Sequence, residues 1–276
     1  MSDKPENPLV ELASRFTGAE MYEKLTGGWP ARVAQKVVEG LRSPITSESV
    51  ILDNCCGSGA ITTAIVKSAK EKGVTPKIHA TDLSAGMISH VKELHKDVPG
   101  VQTAIMDAQE LTFADNTFSH VICAFGVFFC RDYDVGYSQM YRVAAPGSIT
   151  VITSWKTVGW APVVDYMIEK IRPGQKKFVF PAPPGFEDAA WVKDRMEKTG
   201  WKDVSVREIQ DYTKASDDIA SALLPMLREH AEGWTDEEKQ RFCGMFDEAA
   251  EACGIEKGPE GWWKINMVAL EATGTK

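Results

Sequence analysis

The chain has 276 residues and a formal net charge of −8, with 39 acidic side chains against 31 basic ones. This length can bury a core without disulfides or metals, and an acidic chain without a basic cluster argues against nucleic acid or an anionic membrane as partner. No apolar run reaches the roughly 20 residues of a membrane span, and residues 1–8 do not resemble a signal peptide. We therefore expect a cytoplasmic protein with a small-molecule ligand, no nucleic-acid or membrane partner, and a monomeric or weakly dimeric state.

The cysteines form no C-x-x-C pair and have no histidine at metal-ligand spacing. This pattern predicts reduced, mostly buried thiols and no metal site. The six positions are Cys55, Cys56, Cys123, Cys130, Cys243 and Cys253.

The chain opens with helical patterns. Residues 1–8 are expected to be disordered, and Leu9–Leu25 carries apolar residues that suggest one or two short helices. Gly27–Pro30 breaks this pattern, and Pro30 suits the first turn of a helix that continues to Leu41. We expect residues 1–47 to form a helical cap over the ligand-binding edge of a sheet.

A strand, a glycine turn and a helix follow in Val50–Thr62. The apolar run Val50–Leu52 ends at Asp53, and Gly57 and Gly59 stand before residues with helical spacing. Glycines let the backbone turn sharply and let a ligand lie directly on it. Such a unit is typical of the start of a nucleotide-binding α/β sheet.

Strands then alternate with helical patterns of ten to fourteen residues, which favours βαβ units and a parallel sheet. We predict a doubly wound, seven-stranded, mostly parallel α/β sheet in residues 48–276. A helical insertion at about 214–254, made of helices Ser216–His230 and Thr235–Cys253, precedes the last strand. The other predicted strands are Lys77–Thr81, Val101–Met106, His120–Phe125, Ser148–Trp155, Trp201–Ile209 and Trp262–Ala272.

Acidic residues end three successive strands: Asp53, Asp82 and Asp107. The carboxyl edge of a parallel sheet is where ligands bind. Each carboxylate alone is explained by capping of the next turn. Three in register at one edge indicate a shared ligand.

Four segments, taken in order, resemble the class I S-adenosylmethionine-dependent methyltransferases, in particular their ubiquinone-biosynthesis-like small-molecule branch. The resemblance covers about residues 48–210 and implies a Rossmann-like methyltransferase fold. The segments are L-D-N-C-C-G-S-G-A at 52–60, T-D-L-S-A-G-M at 81–87, M-D-A-Q-E-L-T-F-A-D-N-T-F at 106–118 and Y-R-V-A-A-P-G-S at 141–148.

More loosely, Y-E-K-L-T-G at 22–27 together with L-D-N-C-C-G at 52–57 resembles fungal secondary-metabolite methyltransferases, including those that methylate thiols of epidithiodiketopiperazines. It implies a cofactor, S-adenosyl-L-methionine, and an acceptor from secondary metabolism.

The family resemblance also implies roles for individual residues. Asp82 accepts hydrogen bonds from both ribose hydroxyls, Asp107 accepts from the adenine amino group, and Asp53 holds the methionine ammonium group. The backbone N–H of Ala108 meets an adenine ring nitrogen, while Leu83 and Met87 flank the ring. The implied cofactor residues are Tyr22, Asp53, Cys55, Gly57, Gly59, Asp82, Leu83, Met87, Asp107 and Ala108.

Two positions depart from the family pattern. Cys55 replaces the first glycine of D-x-G-x-G-x-G, so either the position tolerates a Cβ or the loop is rebuilt; we favour the first. Ser119 stands where an aspartate is usual, a change that concerns local structure more than chemistry.

Other function classes make different demands on the sequence. A nicotinamide-dependent oxidoreductase needs a third glycine, and Thr62 occupies that place. A DNA or protein-glutamine methyltransferase would carry N-P-P-Y after the fourth strand, where this chain has 124–129, A-F-G-V-F-F. A protein that keeps the cofactor without transferring its methyl group stays open as an alternative.

The acceptor pocket is expected to be apolar and aromatic, with Trp29, Phe128 and Trp155 as its lining, although core packing also explains each ring. No basic group stands out, so we expect an acceptor that is nucleophilic by itself: a thiol first, then a phenol or amine. We assign no catalytic residue; if a general base acts, His230 is the candidate, because His79 and His120 fall at strand starts.

Overall fold

The computed structural model describes residues 19–216 and 219–276. The expected disorder of residues 1–8 and the first part of the predicted helix Leu9–Leu25 lie outside the described residues. Within the described part, the first helix begins at Ala19.

A mostly parallel sheet forms the centre of the molecule, as predicted. The strands are β1 Val50–Asn54, β2 Lys77–Asp82, β3 Val101–Ile105, β4 Phe118–Ala124, β5 Ala144–Thr157, β6 Lys202–Ala215, β7 Glu256–Lys257 and β8 Trp263–Thr275. Their order in the sheet is β3-β2-β1-β4-β5-β8-β6, with β1 to β5 parallel and β8 antiparallel to both β5 and β6. The two-residue strand β7 pairs with β8 and was not predicted.

Helices cover the sheet and connect its strands. Single 3₁₀ turns lie at Val127–Phe129 and Leu224–Leu227. The described helices are α1 Ala19–Thr26, α2 Trp29–Glu39, α3 Ala60–Lys72, α4 Ala85–Leu94, α5 Tyr133–Val143, α6 Ala161–Ile171, α7 Ala189–Thr199, α8 Ile219–Leu223, α9 Arg228–Ala231, α10 Asp236–Gly244 and α11 Phe246–Ala252.

The predicted long helices between β6 and β8 were wrong in their continuity. The segment expected as Ser216–His230 holds α8, a 3₁₀ turn and α9, because Pro225 lacks the N–H that an α-helix needs there. The segment expected as Thr235–Cys253 is divided after Gly244, a weak helix former. The capping box at Thr235 is confirmed.

Strand β6 is longer than predicted because its partner is long. It continues past Ile209 to Ala215, and its residues pair with β8 from Ser205 opposite Thr273 to Ala215 opposite Trp263. This antiparallel pair extends the sheet beyond the parallel part, and the helices α8 to α11 lie between its two strands in the chain.

The inner strands owe their apolar runs to burial on both faces. Ile51 and Leu52 of β1 and Val121 and Ile122 of β4 are fully buried. Their packing fixes the carboxyl ends of β1 and β4. The glycine loop follows the end of β1, and Phe125 follows the end of β4.

Polar contacts fasten α2 to β6. Arg32 Nε and Lys36 Nζ donate to the two carboxylate oxygens of Asp211 at 3.0 and 2.8 Å. At Gly27, with φ +53°, a Cβ would lie 2.1 Å from the carbonyl oxygen of Lys214, so no side chain fits. The glycine break before α2 therefore allows close approach of the cap segment to the sheet.

None of the helices in the described ranges has both the length and the apolar composition that crossing a bilayer requires.

Candidate cofactor and acceptor site

The parallel register brings the three strand-end carboxylates to one edge of the sheet. Asp53 lies opposite Ala80 in the β1–β2 pair, two residues before Asp82, and Asp82 lies opposite Ile105 in the β2–β3 pair. Asp107 follows two residues after Ile105. The strands thus place the side chains at neighbouring positions of the carboxyl edge.

The loop after β1 is a tight turn in left-handed backbone. Gly57 and Gly59 have φ of +53° and +85°. A Cβ on Gly57 would meet no atom within 4 Å, whereas one on Gly59 would lie 3.0 Å from Val91 Cγ2. Gly57 therefore leaves open space above the loop, and Gly59 permits packing against α4.

Cys55 shares the left-handed conformation, with φ +57°. The position accepts a Cβ, but in a backbone region that L-residues avoid. A Cβ on Gly126 would lie 2.3 Å from Cys55 Cβ, so the residue that follows Phe125 packs directly against this loop.

Asp82 links the glycine loop to the start of α4. Its Oδ2 accepts from Gly57 N and its Oδ1 from Ser84 N, both at 2.9 Å. A carboxylate offers about four lone-pair directions, so acceptor capacity remains after these two bonds. Burial raises the pKa of Asp82, and these backbone donors oppose the shift. The next residue, Leu83, is 68% exposed, which leaves an apolar surface beside the carboxylate.

Asp53 is buried beneath the loop. Its Oδ2 accepts from both Thr62 N at 2.9 Å and Thr62 Oγ1 at 2.6 Å. Burial raises the pKa of Asp53 to about 7, although the Thr62 donors act in the opposite direction. Thr62, at the place where a dinucleotide fold has its third glycine, therefore holds Asp53 with two donors, and Asp53 accepts a backbone N–H of the first turn of α3.

Asp107 is held by a local turn. Its Oδ1 accepts from Gln109 N at 2.8 Å and from Gln109 Nε2 at 3.2 Å. Ala108 between them is buried. On α4, Met87 is also buried, and its N–H donates to Ser84 Oγ at 3.4 Å.

Helix α1 carries the predicted Tyr22 and adds Glu23, which sequence reasoning did not single out. Glu23 Oε1 accepts from Ser58 Oγ, in the glycine loop, at 2.6 Å. Burial, followed by the nearby charges of Glu23 and Asp82, raises the pKa of Tyr22 well above its ordinary value, so its hydroxyl stays neutral. The sequence feature that could have identified Glu23 is its position directly after Tyr22 in the segment Y-E-K-L-T-G.

Three rings from distant parts of the chain pack together: Trp29, Phe125 and Trp155, here called the aromatic trio. Trp29 stacks on Trp155 with centroids 4.3 Å apart and an interplanar angle of 16°. Phe125 lies 4.8 Å from Trp29 and 4.7 Å from Trp155. Phe125 has φ +56°, a strained conformation for a bulky residue. The contact of Gly126 with Cys55 places the backbone that follows Phe125, one member of the trio, beside the glycine loop.

The two other residues predicted from the sequence, Phe128 and His230, contact other groups. Phe128 is fully buried and contacts Phe129 and Phe186, with centroids 5.0 and 5.6 Å away. His230 Nε2 is 3.0 Å from the carbonyl oxygen of Lys176, and its ring faces Phe178 at 6.2 Å.

Ser119 serves local structure. Its Oγ lies 3.1 Å from both the N and the O of Val50, and 2.9 Å from His120 Nδ1. Ser119 thereby joins the start of β4 to the start of β1.

The site suits a cation-bearing nucleotide-like ligand. The open space above Gly57 offers room for a ligand, and the exposed Leu83 offers an apolar surface. The carboxylates of Asp53, Asp82 and Glu23 would stabilise a positive charge on that ligand. Among the described residues, no group of histidine, cysteine and acidic side chains could hold a metal ion.

Together, the parallel sheet with its antiparallel β8, the glycine loop and the strand-end carboxylates define a Rossmann-like methyltransferase. Residues 29–163 match the sequence model of the ubiE/COQ5 methyltransferase family. The chain is an S-adenosylmethionine-dependent methyltransferase, and its cofactor is S-adenosyl-L-methionine. The expected family and fold are thereby confirmed.

Individual relatives agree with this class. Methyltransferase tpcH of Aspergillus fumigatus is 24% identical over 82% of this chain and 84% of its own length. Acetylaranotin bis-thiomethyltransferase of Aspergillus terreus is 23% identical over 86% of this chain and 85% of its own. A structure of Haemonchus contortus phosphoethanolamine N-methyltransferase 2 in complex with S-adenosyl-L-methionine shares the fold, with a TM-score of 0.56 and 18% identity over 97% of this chain and 60% of that one.

Proposed function

We propose that this methyltransferase acts on a small, largely apolar secondary metabolite and methylates it at a thiol. The observation that carries the proposal is the aromatic trio beside the glycine loop, where it can hold an apolar acceptor close to the methyl donor. S-adenosylmethionine supplies a methyl group already activated on a sulfonium. The relatives named as fungal methyltransferases, one of them a bis-thiomethyltransferase, support a secondary metabolite and a sulfur acceptor.

The strand-end residues would hold the cofactor. Asp82 keeps acceptor capacity for the ribose hydroxyls after its bonds to Gly57 and Ser84. The exposed Leu83 would pack on one face of the adenine, with Met87 at the other, and Asp107 would accept from the adenine amino group.

The methionine end would lie over the open face of Gly57. Asp53, buried below and tied to Thr62, would act on the ammonium group through its charge rather than by direct contact. Tyr22 of α1, near Asp82, would close this end of the site from above.

A thiol acceptor suits a site without a dedicated base. A thiol with a pKa near 8.5 is a few per cent ionised at pH 7, and the thiolate is strongly nucleophilic. Among the described residues, no histidine ring forms a hydrogen bond or ring contact with the aromatic trio. The rings of His120, His95 and His230 are within hydrogen-bond distance of Ser119, Thr63 and the carbonyl oxygen of Lys176, respectively. The chain's contribution would be to position the acceptor and exclude water.

The test compares acceptors that differ in one atom. Thiophenol, phenol and aniline with identical ring substituents, supplied with labelled S-adenosylmethionine, keep the apolar framework and change the nucleophile alone. We expect kcat/KM for the thiol to exceed that for the phenol at least tenfold, with His230→Ala leaving thiol turnover unchanged. Turnover of phenols alone, abolished by His230→Ala, would contradict both the thiol acceptor and the absence of a base.

A further inference from the structure

We propose that the indole N–H of Trp29 is a hydrogen-bond donor to the acceptor molecule, so that the enzyme selects acceptors with a carbonyl oxygen close to the nucleophilic atom. This inference rests on the proposed function, because it concerns the same acceptor pocket. It adds a polar requirement to a pocket that otherwise consists of aromatic rings.

The first observation is an unpaired donor. Trp29 is fully buried, and its Nε1 has no hydrogen-bond partner among residues 19–216 and 219–276. Buried indole N–H groups usually have a hydrogen-bond partner. Leaving one unpaired destabilises the protein, and a ligand that accepts this hydrogen bond would remove that cost. The ring itself packs against both Trp155 and Phe125, which also contact each other.

The second observation is the position of this donor. Trp201 and Trp234 also have buried, unpaired Nε1 atoms, so the unpaired atom alone does not identify a site. Trp201 packs against Tyr137 and Tyr141, and Trp234 against Phe242. Trp29 differs because its neighbour Phe125 directly follows β4 in a strained left-handed conformation, and the next residue, Gly126, packs against the loop predicted to hold the cofactor. Strained backbone of this kind concentrates at functional sites.

The third observation concerns access. Trp155 is only partly buried, and Phe180 covers it with a centroid distance of 6.3 Å. Phe180 belongs to residues 172–188, a long connection without helix or strand between α6 and α7. Connections of this length in a compact domain are usually functional. An acceptor that replaces Phe180 on Trp155 would stack on the trio and bring a carbonyl oxygen within reach of Trp29.

A matched pair of ligands isolates the hydrogen bond. 2′-(Methylthio)acetophenone and 1-ethyl-2-(methylthio)benzene have the same ring skeleton and differ in carbonyl against methylene; both carry the S-methyl group of a product. Their binding to the enzyme loaded with S-adenosylhomocysteine is measured by calorimetry. We expect wild type to bind the ketone about three- to tenfold more tightly, the range for one neutral hydrogen bond.

Two variants test whether the preference for the ketone comes from the indole N–H of Trp29. Trp29→Phe keeps a ring and removes the donor, and is expected to lower ketone affinity by the same factor while leaving the ethyl compound within twofold. Trp201→Phe is the matched control, because it removes another buried, unpaired indole N–H and is expected to keep the preference. No preference in wild type, an equal loss for both ligands in Trp29→Phe, or loss of the preference in Trp201→Phe would overturn the proposal.

A spectroscopic readout keeps the test independent of the variants' folding and of turnover. In ¹⁵N-labelled wild type, with the indole resonances assigned by triple-resonance experiments, the Trp29 Nε1–H signal is expected to shift downfield with the ketone and not with the ethyl compound. An unshifted signal would overturn the proposal. If the ketone preference holds and thiols are not methylated, the proposed thiol acceptor fails alone; if thiols are methylated without the preference, the role of Trp29 fails alone.

Discussion

Glu23 Oε1 accepts a hydrogen bond from Ser58 Oγ at 2.6 Å, which joins the first described helix to the glycine loop. Both side chains are largely removed from solvent, and the acceptor is a carboxylate. Hydrogen bonds to charged groups are stronger than those between neutral ones. This contact therefore fastens the cap where the cofactor's methionine end would lie.

The Glu23–Ser58 contact can be measured by a double-mutant cycle. We expect Glu23→Ala and Ser58→Ala to be non-additive in the free energy of unfolding, with a coupling of about 1.5 kcal/mol or more for a charged hydrogen bond. Urea unfolding of wild type, the two single variants and the double variant gives this value. Strictly additive effects would show that the two side chains do not interact in solution.

A second prediction concerns Cys55 and its left-handed backbone, φ +57°. Glycine relieves a strain of roughly 1–2 kcal/mol but loses about 0.5–1 kcal/mol in conformational entropy relative to alanine. Cys55→Gly should therefore be more stable than Cys55→Ala by about 0.5–1 kcal/mol in urea unfolding. We also expect Cys55→Gly to bind S-adenosylhomocysteine within a few-fold of wild type. A loss of more than tenfold would show that the thiol side chain itself is used in binding.

A third prediction is a pH dependence of cofactor affinity. Burial raises the pKa of Asp53 to about 7, so in the free protein the carboxyl is neutral below that pH and charged above it. The cationic S-adenosylmethionine favours the charged form. Ionisation of Asp53 should therefore raise the affinity by up to about tenfold between pH 6 and pH 8 and add little above pH 8.

Asp53→Asn supplies the control for this pH dependence. It keeps an oxygen that can accept from Thr62 and removes the titrating charge. The cofactor's own α-amino group, with a pKa near 8, titrates in both proteins, so the comparison isolates Asp53. Calorimetry in buffers of different ionisation enthalpy should show proton release on binding to wild type near pH 7. Equal pH profiles of wild type and Asp53→Asn would contradict the role given to Asp53.

The elements that depend on residues close together in the sequence were the ones predicted best. The apolar run Val50–Leu52 followed by Asp53 and two glycines was sufficient for β1 and its loop, because burial on both faces demands such a run. The alternation of strands and helices likewise predicted the parallel sheet. The register of that sheet then brought Asp82 and Asp107 to the edge with Asp53.

Features that depend on distant contacts were not predictable in this way. The end of β6 at Ala215 is set by its pairing with Trp263, and the contact of Glu23 with Ser58 spans 35 residues. The interruptions around Pro225 and after Gly244 were visible as residues that disfavour helices, yet the apolar spacing on either side favoured continuous ones. The aromatic trio required three chain segments to meet.

The central claim is that the strand-end carboxylates hold S-adenosylmethionine, and Asp82→Ala tests it most directly. Wild type should bind S-adenosylhomocysteine with micromolar affinity, and Asp82→Ala should weaken binding by about 1.5–3 kcal/mol, the range for a charged hydrogen-bond acceptor. Asp97→Ala, which removes the same charge from an exposed residue after α4, should bind like wild type. Unchanged calorimetric affinity in a folded Asp82→Ala protein, or tight binding of NAD by wild type, would contradict the account.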